Sequence, residues 1–281
     1  MITRFLRYPG GRTKALTLSY DDGIEEDIRL IEIMRKYGLK GTFNINSGMF
    51  GPEDRINNTG WKHRRLSRNE AIKVYTDDVC EVACHCTKHA FCEYTDNATF
   101  ALQVLEDRKN LEEMFKRQIH GMAYPNGSFN DTVVDICRLS GIYYSRTCIA
   151  THKFNFPTDW LRLPTTCRHK DPMLMELAEQ FINMDASKYG PKLFYLWGHT
   201  YEFADDDNWQ LIEEFAQKMG GRDDVWYATN IELYYTWLDY QRLESSADGS
   251  IIHNPSVRSV WIAGGGNKIY EIKPGETVVI D

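Results

Sequence analysis

The feature that most constrains this chain is an alternation. Apolar runs of strand length take turns with segments whose apolar residues recur every three to four positions. Ala15-Leu16-Thr17-Leu18-Ser19-Tyr20 is the first run, and Ile28, Leu30, Ile31, Ile33 and Met34 mark the helix after it, stopped at Gly38. Further strands are expected over 41–45, 79–84, 119–124, 142–147, 193–197 and 225–228. Helices are expected over about 99–117, 131–139, 172–182, 209–219 and 231–243, and the capping box Ser67-x-x-Glu70 opens one more. Apolar strands separated by helices build a parallel sheet with helices packed on it. About seven such units in 281 residues predict an α/β fold, a distorted (β/α) barrel rather than an open sheet. The pattern changes after Leu243. A linker at 245–250 leads to short strands at 257–262, 268–272 and 277–280. The expected domains are therefore a barrel over 1–243 and a small C-terminal β appendage over 244–281, too short to hold a core of its own.

Composition narrows the partners. With 42% hydrophobic and 13% aromatic residues the chain has ample material for a core. The net charge is −7 and no Lys/Arg-rich run occurs, so no nucleic-acid partner is expected. Seven scattered cysteines cannot all pair, which reads as reduced thiols. The N-terminal stretch from Met1 to Gly10 has no signal-type apolar run and no segment reaches transmembrane length. A cytoplasmic protein with no membrane partner is the expectation.

In a barrel of this kind, chemistry sits where strands end and the following loops begin. The first strand ends in Ser19-Tyr20-Asp21-Asp22-Gly23, the third in Cys84-His85-Cys86-Thr87-Lys88-His89, the fourth in Ala123-Tyr124-Pro125-Asn126-Gly127 and the sixth in Trp197-Gly198-His199. Histidines at i and i+4 can face one point if the segment makes a helical turn. Together with one carboxylate they make the three-ligand set of an open catalytic zinc site, with a fourth position left for water. The cysteines offer a closed site instead, but Cys84 and Cys86 alternate with His85 and no second Cys pair follows at finger spacing. Cys80, Cys84 and Cys92 read as small buried hydrophobes, with Cys86 left open. Asp21-Asp22-Gly23 would equally suit a turn before a helix.

Five short motifs, in order from about residue 14 to 240, resemble those of polysaccharide deacetylases of the NodB-homology, carbohydrate esterase family 4 type. Ser-Tyr-Asp21-Asp22-Gly resembles the family's Thr-Phe-Asp-Asp-Gly, and His85-Cys-Thr-Lys-His89 its His-Ser/Thr-x-x-His. Ala123-Tyr124-Pro125-Asn126-Gly127 resembles Arg-x-Pro-x-Gly, Asp159-Trp160 the Asp-Trp motif, and Leu196-Trp197-Gly198-His199 the Leu-x-His signature with one residue added. The resemblance implies a divalent metal, zinc first, with cobalt, nickel, iron or manganese able to take its place. It also implies an acetylated sugar or oligosaccharide as substrate. By motif position Asp21 is the general base, Asp22, His85 and His89 hold the metal, the Asn126 N–H in the Tyr124–Asn126 loop helps hold the oxyanion, and His199 is the general acid. Ala123 stands where the family often has Arg, and Arg162 or Arg168 is expected to supply that cation to the base Asp21 or to the Asp159 region.

The same chemistry can be built from the residues. Hydrolysis of an amide or ester needs an activated water, a sink for the oxyanion and a proton for the leaving group. Near the rim, Asp159, Trp160 and Trp197 are candidates for the substrate pocket, the aromatics as apolar walls for a sugar. Two other functions stay in view: hydrolysis of a non-sugar amide or cyclic amide, and a catalytically idle barrel that binds carbohydrate. The β tail could serve binding or homo-oligomerisation.

Overall fold

A computed structural model describes residues 3–57 and 60–281; Met1 and Ile2, which begin the N-terminal stretch read above, lie outside them. In chain order the elements are β1 (Phe5–Arg7), β2 (Lys14–Asp21), α1 (Asp27–Tyr37), β3 (Gly41–Ile45), α2 (Arg68–Tyr75), β4 (Cys80–Cys84), α3 (Asn97–Phe115), β5 (Gly121–Ala123), α4 (Asp131–Leu139) and β6 (Tyr144–Ala150). They continue with β7 (Leu163–Thr165), β8 (Cys167–Arg168), α5 (Leu174–Asn183), β9 (Lys192–Gly198), α6 (Tyr201–Asp205), α7 (Trp209–Met219), β10 (Val225–Tyr227) and α8 (Asn230–Gln241). The last strands are β11 (Glu244–Ser245), β12 (Ile251–His253), β13 (Val260–Ala263), β14 (Ile269–Ile272) and β15 (Thr277–Val279).

The parallel sheet runs in the order β7-β6-β5-β4-β3-β2-β9-β8. Its two ends belong to one short stretch of chain. Leu163 pairs with Arg146 of β6, and Cys167 and Arg168 pair with Leu196 and Trp197 of β9. Thr166 joins the two halves, its N–H donating to Tyr195 O (2.9 Å). The row of pairings thus returns on itself through residues 163–168. About seven units stand as expected, but one strand position is filled by a different segment. The segment 225–228, expected as a full strand of the barrel, pairs only with Lys14–Leu16 at the start of β2, while β3 takes Leu18–Asp21 on the same side. The closing strand escaped notice because it is brief and interrupted by Pro164, which removes a ladder donor and hides the apolar run.

Local rules explain the elements that were foreseen. Gly38, at φ 69°, ends α1 and donates to Arg35 O and Met34 O, the left-handed stop that glycine takes at least cost. Ser67 and Glu70 form the expected reciprocal cap of α2. Along β2, Leu16, Leu18 and Tyr20 join the main core between sheet and helices, while Thr17, Ser19 and Asp21 share the other face. That face is polar: Thr17 Oγ1 donates to Asn230 Oδ1 (3.0 Å), and Asn44 Nδ2 donates to Ser19 Oγ (2.9 Å). Asp21 is thereby aimed into the barrel rather than into the helical shell.

Residues beyond 243 form β11-β12-β15 and a second sheet, β1-β13-β14, in which Phe5, Leu6 and Arg7 pair with Ala263, Ile262 and Trp261. The two sheets share a small core of Leu243, Ile252, Val260, Ile262, Ile272 and Ile280. The N-terminal strand therefore lies before the 243/244 boundary and pairs beyond it. Among the described residues no helix is long and apolar enough to cross a membrane.

Candidate metal-dependent hydrolytic site

At the end of β2 the backbone turns abruptly. Asp22 stands at φ 87° and Gly23 at φ 67°. Adjacent side chains on a strand point to opposite faces, and this turn is what brings Asp21 and Asp22 to one site. A left-handed aspartate is costly, on the order of 1–3 kcal/mol, so something must hold it. Arg65 does, donating from Nη1 to Asp22 O (2.5 Å) and from Nη2 to Asp22 Oδ1 (3.3 Å).

The loop after β4 is built in the same way, with Cys86 at φ 58° and His89 at φ 51°. His85 Nδ1 donates to Ala123 O (2.8 Å), which leaves the Nε2 lone pair facing inward. That Nε2 is buried and has no hydrogen-bond partner among the described residues. Burial lowers the His85 pKa to about 4 against the opposing pull of Asp21, so the ring is neutral. Asp107 accepts from the N–H groups of His85 (2.9 Å) and Ser47 (2.7 Å). Asn46 donates to the carbonyls of His85 and Cys86 and accepts from Arg65 Nη1 (3.2 Å). Asn46 and Arg65 thereby tie the two ligand-bearing loops together.

One donor atom each from Asp22, His85 and His89 lies within 4.8 Å of the others. His89 Nε2 is 3.8 Å from Asp22 Oδ1. A tetrahedral cation with bonds of about 2.0–2.2 Å holds its ligands about 3.4 Å apart, so a small closing suffices. The N₂O donor set, the orphaned His85 Nε2 and the neutral imidazole all fit a divalent transition metal. Cys84, Cys86 and Cys92 are buried free thiols, and burial raises the pKa of Cys84 well above the ordinary range.

The end of β9 converges here as well. His85 Nε2 is 3.9 Å from Asp21 Oδ2, and His199 Nε2 is 3.8 Å from Asp21 Oδ2 and 4.0 Å from Asp22 Oδ2. Trp197 forms a wall beside them, its ring 5.7 Å from that of His199. Asn126 stands exposed at φ 57° in the β5 loop. The remaining candidates are turned elsewhere. The Tyr124 hydroxyl donates to Leu161 O (2.8 Å) and its ring stacks on Phe129. Trp160 packs on Tyr234, Trp237 and Phe156. Asp159 caps the turn at Leu161 and pairs with Arg162 (2.9 Å).

The cation sought at position 123 comes from the next strand. In the β5–β6 register Ala123 lies opposite Arg146, and the fully buried Arg146 guanidinium donates to Asp21 Oδ2. Asn44 Nδ2 donates to Asp21 Oδ1 (2.8 Å). Burial is the largest influence and would raise the Asp21 pKa, but the charge and hydrogen bond of Arg146, together with His85 and His199, outweigh it and hold the carboxyl down at about 2. Neither expected arginine reaches Asp21, although Arg162 does supply a cation to Asp159. Arg162 pairs with Asp159 and Asp131, and Arg168 with Glu202. No local pattern marks Arg146; only the parallel register brings it to Asp21.

Removing Arg146 should therefore be costly. Arg146→Met strands a buried carboxylate, and about 3–5 kcal/mol of stability should be lost near neutral pH, read by denaturant unfolding. The sign of the pH dependence follows from Asp21. Its depressed pKa stabilises the fold above the ordinary value of about 3.9 and ceases to do so as the pH falls through about 2. The gap between wild type and variant should thus narrow in acid, where Asp21 takes up a proton. A cost that does not change with pH would separate Arg146 from Asp21.

His199 has a partner of its own that sequence reading missed. Glu202, one helical turn on in α6, lies 3.5 Å from His199 Nδ1 and 3.1 Å from His169 Nε2, and accepts from Arg168. Burial lowers the His199 pKa, but the Glu202 hydrogen bond and the charges of Asp21, Asp22 and Glu202 raise it further, leaving it above the ordinary value. The i, i+3 spacing from His199 was the available signal.

A family model described as polysaccharide deacetylase matches residues 4–145. Among solved structures, a Mycobacterium smegmatis protein described as a polysaccharide deacetylase is 16% identical, covering 86% of this chain and 96% of that one at a TM-score of 0.57. A family 4 carbohydrate esterase from Streptomyces lividans, in complex with acetate, is 13% identical over 76% of this chain and 91% of that one, with a TM-score of 0.50. A Streptococcus pyogenes deacetylase in complex with acetate is 17% identical over 52% of this chain, which spans 62% of that protein, at a TM-score of 0.44. The first two likenesses show a shared fold. No curated protein matches the chain.

Proposed function

The chain belongs to the polysaccharide deacetylase family, and on that premise we propose that it is a metal-dependent hydrolase that removes acetyl groups from an N- or O-acetylated sugar or oligosaccharide. The observation that carries this reading is the convergence of Asp21, Asp22, His85, His89 and His199 from three strand ends onto one small volume. A divalent cation on Asp22, His85 and His89 would lower the pKa of a bound water and polarise the acyl carbonyl. Zinc suits the N₂O set.

The chain's own residues supply the proton transfers. Asp21, held ionised by Arg146 and oriented by Asn44, takes a proton from the attacking water. His199, on the other side of Asp21 and Asp22, gives a proton to the leaving oxygen or nitrogen. Glu202 fixes the orientation of its ring and favours the charged form. The N–H of Asn126, on the β5 loop, is the proposed donor to the developing oxyanion. We take residues 1–243 as the catalytic unit and 244–281 as an appendage completed by β1. The presence of base, ligands and acid together favours catalysis over an idle carbohydrate-binding barrel.

The direct test is metal analysis of the purified protein with an acetate-release screen over acetylated sugars. Metal bound at one per chain with acetate release supports the reading. Hydrolysis of non-sugar amides alone would favour the second function named above.

The pH profile gives a further check. His199 must keep its proton to act as acid, so turnover should fall as the pH rises through its pKa. Glu202→Gln removes a charge that raises that pKa, and the basic limb of kcat should move to lower pH. An unmoved limb would assign that limb to another group.

A further inference from the structure

Asp27, the first residue of α1, is a fully buried carboxylate that the proton transfers above do not use. Its Oδ1 accepts from the Thr200 hydroxyl (2.5 Å), and its Oδ2 accepts from the Tyr75 hydroxyl (2.5 Å) and the Ile24 N–H (3.3 Å). None of these partners is a cation. Burial raises the Asp27 pKa to about 7, against the pull of the three hydrogen bonds. A buried carboxylate without a cation is a poor source of stability, so its use lies in what it holds.

It holds two turns of the site. Strands β2 and β9 pair as far as Tyr20 and Gly198, and Asp21 and His199 come directly after these last partners. The chain then continues as Asp22-Gly23-Ile24 on one side and Thr200-Tyr201 on the other. Asp27 spans the two, with one oxygen on Thr200 and the other on Ile24. Among the described residues this is the one direct hydrogen-bonded link between residues 21–27 and residues 198–205. Thr200 is itself buried and committed to the link. It stands at the N-cap position of α6, where a threonine ordinarily accepts from its own helix, yet it makes no cap there and donates across to Asp27.

Building on the deacetylase reading, we propose that Asp27 is a positioning residue for the proton donor. Through Thr200 it fixes the backbone that carries His199, and through Ile24 the turn that follows Asp22. Acid and base thereby keep the 3.8 Å approach of His199 Nε2 to Asp21 Oδ2. Glu202 is left to set only the rotation of the ring. A carboxylate that served α1 alone would have no need of the Thr200 arm.

The test uses the metal-loaded full chain and two probes. One is para-nitrophenyl acetate, whose leaving group hardly needs a proton; the other is the β-linked trimer of N-acetylglucosamine, an acetamide whose leaving nitrogen does. Thr200→Val keeps the shape of the side chain and removes the arm. Its kcat on the acetamide should fall by about ten- to a hundredfold, and on the ester by less than about threefold. Thr200→Ser should restore both rates, and Asp27→Ala, where it folds, should repeat the valine result. Equal losses on the two probes would overturn the proposal, since a merely structural brace would lower both rates alike. A Thr200→Ser protein as impaired as Thr200→Val would overturn it too. Crystal structures of these two variants give a readout free of activity: the separation of His199 from Asp21 should widen in Thr200→Val and be kept in Thr200→Ser. An unchanged separation in both would refute the tether. No acetate release from either probe or from any acetylated sugar would sink the deacetylase reading, and the two structures would still decide the role of Asp27.

Discussion

His85→Ala is expected to purify without metal and without measurable hydrolysis, in a chain that still folds. His85 contributes a buried donor atom, Nε2, with no hydrogen-bond partner among the described residues, and its Nδ1 proton is already committed to Ala123 O. An alanine there leaves two ligands, His89 and Asp22, of which Asp22 already receives Arg65. Two ligands do not retain a catalytic zinc that needs three. The Asn46 and Asp107 contacts that shape the loop run to the His85 backbone, so they survive the change. His89→Ala should behave likewise. Cys84→Ala and Cys92→Ala are the controls: both thiols are buried, and neither belongs to the cluster, so metal content should stay at the wild-type level. The measurement is metal per chain by elemental analysis, beside circular dichroism and acetate release. Metal lost in a cysteine variant but kept in His85→Ala would reverse the assignment.

The second large effect falls on rate alone. Asp21→Asn should keep its metal and lose roughly two to four orders of magnitude in kcat, the usual scale for a general base. Asn is nearly isosteric and can still accept from Arg146, so the site should remain folded. What disappears is the charge that receives the proton. Asp21 lies 3.9 Å from His85 Nε2 and takes its hydrogen bonds from Asn44 and Arg146, outside the Asp22, His85 and His89 cluster, which is the position the proposed base would need. His199→Ala gives the complementary result. A proton donor matters for a poor leaving group and little for a good one, so the loss should be larger on an acetamide than on an activated ester. Equal damage to both substrates would show that His199 shapes the pocket instead. Metal loss in Asp21→Asn would make that carboxylate a ligand.

The sequence by itself determined the alternation of strands and helices, because a strand buried on both faces and a helix with one apolar face leave different periods in fewer than twenty residues. It also marked Asp21-Asp22-Gly23, His85 with His89, and His199, since each is a short constellation at the end of such a run. Only the tertiary structure decided what supports them. Arg146 meets Asp21 because β5 and β6 pair with Ala123 opposite Arg146, a relation between residues far apart in the chain that no local spacing encodes. Arg65, Asn46 and Asp107 brace the ligand loops through contacts of the same long-range kind. Asp159-Trp160 is the reverse case, a local pattern whose side chains the fold turns to a capping role and a second core. The strand through Pro164 closes the ring with neither length nor period to announce it. Ligand motifs are local because one turn of chain must present several donors at once. The charges that tune them act through space, and any strand of the right register can deliver them.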